Sequence, residues 1–150
     1  MLLKNELAEI ARLIDQDDKK NSTVSEKGIY WHLDHSLIIL INVSKVLKKS
    51  DLSDYKSTFN FTRSLIFTLN FIPRGKGKAP KSVYPLDDIT KEELLKQFEE
   101  AKQQINSIKD LPPKNNFKHP LFGILNLKQT KKFLRLHTDH HLKICRDIVK

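Results

Sequence analysis

Cys145 is the only cysteine in the chain. A single thiol closes no internal disulfide and supports no cysteine-based zinc framework. Between Ile144 and Arg146 in a helical pattern, it reads as a small buried helix residue. Long apolar runs are missing as well. The longest candidate, residues 37–47, is broken by Asn42, Ser44 and Lys45, well short of the roughly 18–20 residues that span a bilayer. The N-terminus has no long apolar core and no cleavage-like site, so the expectation is a mature protein, without a membrane anchor and in the cytoplasm. Glycine is scarce, and Gly75 and Gly77 share one short stretch with Pro73 and Pro80, which must be a loop. Some chemical signatures are also absent. There is no Glu-x-x-His pair and no His-Glu-x-x-His, which removes the di-iron and zincin readings. No Ser-His-Asp or Cys-His nucleophile spacing is present. The stretch from Arg74 to Lys81 is phosphate-loop-like in composition only, because the Gly-x-x-x-x-Gly-Lys-[Ser/Thr] spacing is lacking.

What is present is charge and helical periodicity. At 150 residues the chain is most simply one domain, residues 1–150, with enough length to bury its own core. The net charge of +9 and pI near 9.6 favour association with polyanions without specifying fold or chemistry. The lysines are spread over every segment, with a mild focus at Arg74, Lys76, Lys78 and Lys81. Arg74, Lys76 and Lys78 are therefore candidates for attracting an anionic substrate. No aromatic cluster accompanies them, which disfavours single-stranded nucleic acid as a partner.

Four long helical segments are predicted. The first covers about 3–14, with Leu7, Ile10, Ala11 and Ile14 on one stripe. The second spans about 23–49. It opens on a Thr23-Val-Ser-Glu26 capping box, and one face carries Trp31, His35, Ile38, Ile39, Asn42 and Val46, broadened by Leu33, Leu37, Leu40 and Leu47. The third begins at a Thr90-Lys-Glu-Glu93 capping box and carries Leu94, Phe98, Ala101, Ile105 and Ile108. The last is capped by Asn126-Leu-Lys-Gln129 and lines up Thr130, Phe133, Leu134, His137, His141, Ile144 and Ile148. Residues 59–72 read as a buried strand or, preferably, a short helix covering the others, and 117–123 as a loop. The expected fold is all-α, an antiparallel four-helix core with an extra helix and a basic loop in the long middle connection.

The chemistry concentrates in the histidines. His137 and His141 lie four residues apart on the inner face of the last helix, about 6 Å apart along its axis. Burying two neutral imidazoles there requires partners for four ring nitrogens, and each unmet polar group costs about 1–3 kcal/mol. One shared divalent cation satisfies a nitrogen of each ring; hydrogen-bonded structural histidines are the alternative. His35, on the inner face of the second helix, can supply a third nitrogen, giving the three-ligand arrangement with open positions that catalytic metal sites use. His32, three residues earlier, reads as a fourth ligand, an orienter or, preferably, an exposed residue. His140 is rotated by about 100° from His141 and faces away, or stands behind the ligands. His119 either closes over the mouth of the site or fixes its own loop. Asp34 and Asp139 are candidate carboxylates behind the ligands, since metal-bound imidazoles commonly donate their other N–H to such groups.

The stretches Trp31-His-Leu-Asp-His-Ser-Leu37, Phe117-Lys-His-Pro-Leu-Phe-Gly123 and Leu136-His-Thr-Asp-His-His-Leu142 together resemble the DinB/YfiT-like superfamily, in a branch catalogued as a domain of unknown function. The resemblance covers nearly the whole chain. It implies a four-helix bundle in up-down-down-up order, often a homodimer, holding nickel, zinc or iron through His35, His137 and His141. It also implies an activity shared by some members, metal-dependent transfer to a low-molecular-weight thiol such as bacillithiol or mycothiol, with hydrolysis as a related use of such a centre. Where DinB-like proteins often carry Arg-Gly-Gln after the second histidine of the pair, this chain has Leu142-Lys143-Ile144. Two other roles fit the residues without a metal enzyme: a basic module binding a polyanion, and a structural bundle.

Overall fold

The computed structural model describes residues 2–75, 84–85 and 88–150. Among these, the chain forms five helices and one small hairpin: α1 (Lys4–Ile14), α2 (Ile29–Lys49), α3 (Phe61–Leu69), α4 (Lys91–Ser107), β1 (Asn116–His119), β2 (Gly123–Asn126) and α5 (Leu127–Ile148). Helix α2 packs against α4 and α5, and α1 packs against the same two. The core between them contains Leu7, Ile10 and Ile14 of α1, Leu94, Ala101 and Ile105 of α4, and Phe133, Leu134 and Ile148 of α5. No described helix is long and apolar enough to cross a membrane.

The capping boxes at Thr90/Glu93 and Asn126/Gln129 both form, each reciprocally hydrogen-bonded. The one expected at Thr23 does not. The Thr23 hydroxyl donates to Asn21 Oδ1 at 2.7 Å within a local turn, and α2 starts six residues later than expected, behind Gly28. Its cap comes from a distance: Asp18 Oδ1 accepts the Tyr30 N–H at 2.9 Å. Only glycine leaves room for that carboxylate, since a Cβ on residue 28 would lie 2.6 Å from Asp18 Oδ1.

The core face of α2 also differs from the expected stripe. Asn42 is exposed and Val46 is half exposed, while Leu33, Leu37, Leu40, Ile41, Val43 and Leu47 are buried. Near its N-terminus the helix is covered on almost every side, and His32 through Leu37 are all buried. A helix packed between two others buries more than one stripe.

Residues 59–72 supply α3, a helix as preferred, but a thinly covered one. Only Arg63 and Ile66 of it are buried, and Phe59, Phe61, Leu65 and Leu69 stand exposed. Arg63 anchors α3 to the hairpin by donating to the carbonyls of Phe122, Ile124 and Thr58. The hairpin itself corrects the loop expected at 117–123. β1 and β2 pair antiparallel, Phe117 opposite Leu125 and His119 opposite Gly123. Gly123 takes the positive φ of 71° that the turn requires.

Because Gly28 and Asp18 serve one cap, their substitutions should not add. Gly28→Ala and Asp18→Ala are each expected to lower stability by about 1 kcal/mol. The double variant should lose no more than either alone, as measured by denaturant unfolding in a double-mutant cycle. Additive losses would contradict the shared cap.

Candidate metal centre

Helix α2 brings His35 to the face of α5 that carries His137 and His141. The ring centroids lie 5.1 Å apart for His35–His137, 4.8 Å for His35–His141 and 4.7 Å for His137–His141. One nitrogen from each ring lies within 4.8 Å of the other two. Tetrahedral bonds of about 2.0–2.1 Å to one ion set such nitrogens about 3.3 Å apart, so the rings would close in by up to about 1.5 Å. His35 and His141 are buried, and His137 is partly so. Yet the His137 Nδ1 atom is fully buried, with no hydrogen-bond partner among the described residues. That nitrogen belongs to one ring of the trio, and a cation is a partner a buried imidazole nitrogen can take. The donor set is all nitrogen, which suits zinc, nickel, copper or iron better than magnesium or calcium.

The site's electrostatics keep the His137 and His141 rings neutral, the state that binds metal. Burial holds the His137 and His141 imidazoles well below the usual histidine range, and their imidazole neighbours push in the same direction. Trp31 stacks on His35 with centroids 5.4 Å apart and planes 14° apart, fixing that ring from one side. Phe133 lies against His137 at 5.6 Å.

His32 is not exposed. It retains 4% of its surface, and its Nδ1 lies 3.0 Å from His141 Nδ1. Its Nε2 lies 2.9 Å from Ser25 Oγ. Burial lowers its pKa to about 4. His32 thus lies against His141, outside the cluster formed by His35, His137 and His141. Ser25 was not a candidate from sequence, because nothing in its spacing marks a serine seven residues ahead of a histidine on a different element.

The remaining candidates lie outside that three-histidine cluster. His140 directs Nδ1 at the Ile72 carbonyl, 3.0 Å away, while its ring meets His141 edge-on at 5.1 Å. With Ile72, Arg74, Leu136 and Lys143 it lines a cleft of about 370 Å³ beside the centre. Asp139, also on that cleft, is paired with Lys143 at 2.8 Å and Arg146 at 3.6 Å, so its carboxylate is engaged by cations. Asp34 is buried, with 1% of its surface exposed. Arg74 is tied to Asp147 at 2.7 Å, which occupies one cation of the expected anion-attracting set; Lys76 and Lys78 lie outside the described residues. Cys145 is fully buried, and burial pushes its thiol up to about 12, so it is inert.

His119 fixes its own turn. Its Nδ1 accepts the N–H groups of Leu121 and Phe122, each at 3.1 Å, and its ring stacks on Phe122 at 4.4 Å. Comparison with protein-family models, with curated proteins and with solved structures found no match.

The turn at His119 generates a pH dependence. Accepting two N–H groups at Nδ1 requires the neutral ring, and burial lowers its pKa to about 4. A lowered folded-state pKa means that the unfolded chain binds the proton more tightly. Stability from this group is therefore complete above about pH 6.5 and lost as pH falls toward 4. His119→Asn keeps an acceptor close to the Nδ1 position but does not titrate. Metal-free His119→Asn protein should lose about 1–2 kcal/mol less than wild type across that interval, a figure discounted for the ring's partial solvent access. Identical pH profiles would contradict this role.

Proposed function

We propose that this chain is a metal-binding protein of the DinB/YfiT-like type that holds one divalent cation through His35, His137 and His141. On this reading α1, α2, α4 and α5 are the four helices of an up-down-down-up bundle, and α3 and the hairpin are additions to it. The packing of α1 and α2 each against both α4 and α5 supports that arrangement. The observation that carries the metal reading is the convergence of one nitrogen each from His35, His137 and His141 to within 4.8 Å of one another.

Three protein ligands leave coordination positions for an exchangeable group, the hallmark that separates catalytic from structural zinc-type sites. A bound cation of this kind supplies Lewis acidity, lowering the pKa of a coordinated water or thiol. The chain's own residues do the rest. His35 is oriented by Trp31, and His141 is oriented by His32. The apolar wall of Phe133 and Trp31 limits water around the rings, which strengthens electrostatic effects at the centre. The reaction class that fits is transfer to a small thiol, or hydrolysis, with substrate entering at the open positions. Zinc, nickel and iron all suit the all-nitrogen ligand set.

The first test is elemental analysis of untagged protein purified without added metal or chelator. About one transition-metal ion per chain is expected. His137→Ala should reduce this to background while circular dichroism keeps its helical amplitude. Absence of metal in the wild type, even after reconstitution, would overturn the reading.

A further inference from the structure

The contact between His32 and His141 constrains where their protons sit. Two neutral imidazoles facing each other Nδ1 to Nδ1 at 3.0 Å share one proton, so one donates and the other accepts. His32 Nε2 faces Ser25 Oγ at 2.9 Å, and that oxygen already accepts the Lys27 N–H at 3.1 Å. The chain Ser25–His32–His141 therefore has two self-consistent settings. In one, the Ser25 hydroxyl donates to His32 Nε2, His32 Nδ1–H donates to His141 Nδ1, and His141 carries its own proton on Nε2. In the other, His141 Nδ1–H donates to His32 Nδ1, and His32 Nε2–H donates to Ser25 Oγ, which has a lone pair for each of its two donors. Either way the Ser25, His32 and His141 Nδ1 contacts are each matched donor to acceptor.

The settings differ in one functional respect. Only the second leaves the His141 Nε2 lone pair free. With Nδ1 engaged by His32, Nε2 is the nitrogen His141 has for a cation. We propose that His32 is the positioning residue of the centre, and that the Ser25–His32–His141 chain selects which nitrogen of His141 is available to metal. The inference rests on the metal-binding reading above. Conversion between the settings is balanced. His32 passes its Nδ1 proton to His141 Nδ1 and takes the Ser25 hydroxyl proton at Nε2. His141 releases its Nε2 proton to water, and Ser25, which is only partly buried, takes one back from water. No net proton is gained or lost.

A hydrogen-bond acceptor behind a ligating imidazole fixes its orientation and raises its donor strength, and loss of such a partner typically costs 10–100-fold in metal affinity. The length of the chain is what gives His32 this leverage. It is anchored at its far end by Ser25, and its 4% exposure leaves it no room to turn away.

The test uses zinc alone as the probe, with the full chain. His32→Phe fills the same space without an acceptor and is expected to bind zinc about 10–100-fold more weakly than wild type. His32→Asn sets an amide oxygen close to the Nδ1 position and is expected to recover most of that loss, which a purely space-filling role for His32 would not allow. Long-range ¹H–¹⁵N spectra of zinc-loaded wild type are expected to show His141 protonated at Nδ1 and His32 protonated at Nε2. Because His32→Phe could fail to fold, that spectrum and the His32→Asn affinity stand as independent readouts. Zinc binding by wild type with equal affinity in His32→Phe, or a zinc-loaded spectrum with His32 protonated at Nδ1, would overturn the role of His32 while leaving the metal centre intact. Failure of wild type to bind zinc would overturn both.

Discussion

Packing imidazoles between α2 and α5 is the constraint on which the rest of the architecture turns. His32 and His35 project from α2, and His137 and His141 from α5, and their rings meet within about 5 Å of one another. Polar rings in a core destabilise it unless their nitrogens find partners, at about 1–3 kcal/mol for each unmet group. That requirement fixes the register of the two helices to within a fraction of a turn. A slip of one residue along α5 would rotate His137 and His141 by about 100° and leave His32 and His35 facing apolar side chains.

The surrounding elements hold that register. Asp18 and Gly28 define where α2 begins, at Ile29, two residues before Trp31 in the stretch that carries both α2 histidines. The Asn126 capping box defines where α5 begins, at Leu127, ten residues before His137. The hairpin connects the start of α5 to the end of α2, with Asn115 Nδ2 donating to the Leu47 carbonyl and the Asn116 N–H donating to Ser50 Oγ. Both ends of the histidine-bearing pair are therefore pinned by hydrogen bonds from outside the helices, and the site between them is held by the scaffold rather than by a mobile loop.

The sequence made the helices and the His137/His141 pair legible because both depend on local spacing. The i, i+4 histidines of α5, the capping boxes at Thr90 and Asn126, and the stripes of α1, α4 and α5 are all statements about residues a few positions apart. What depends on distant partners was not legible. Thr23 has the right neighbours for a cap, but Asn21 takes its hydroxyl and Asp18 caps α2 instead. The hairpin turn is closed by a histidine ring nitrogen rather than by a familiar turn dipeptide. His32 reads as exposed on a helix with one buried stripe, and α2 buries more than one near its N-terminus. The absence of lysine and glutamate from residues 28–44, against Lys45, Lys48 and Lys49 beyond them, was the available sign that this part of the helix is covered on most sides.

The central claim is that three imidazole nitrogens of one chain converge on one cation. X-ray absorption spectroscopy of the zinc-loaded protein measures this most directly. The account predicts a first shell of nitrogen and oxygen at about 2.0–2.1 Å, with the outer-shell scattering pattern of three imidazoles, falling to two in His35→Ala. A first shell without imidazole scattering, or one unchanged by His35→Ala, would contradict it.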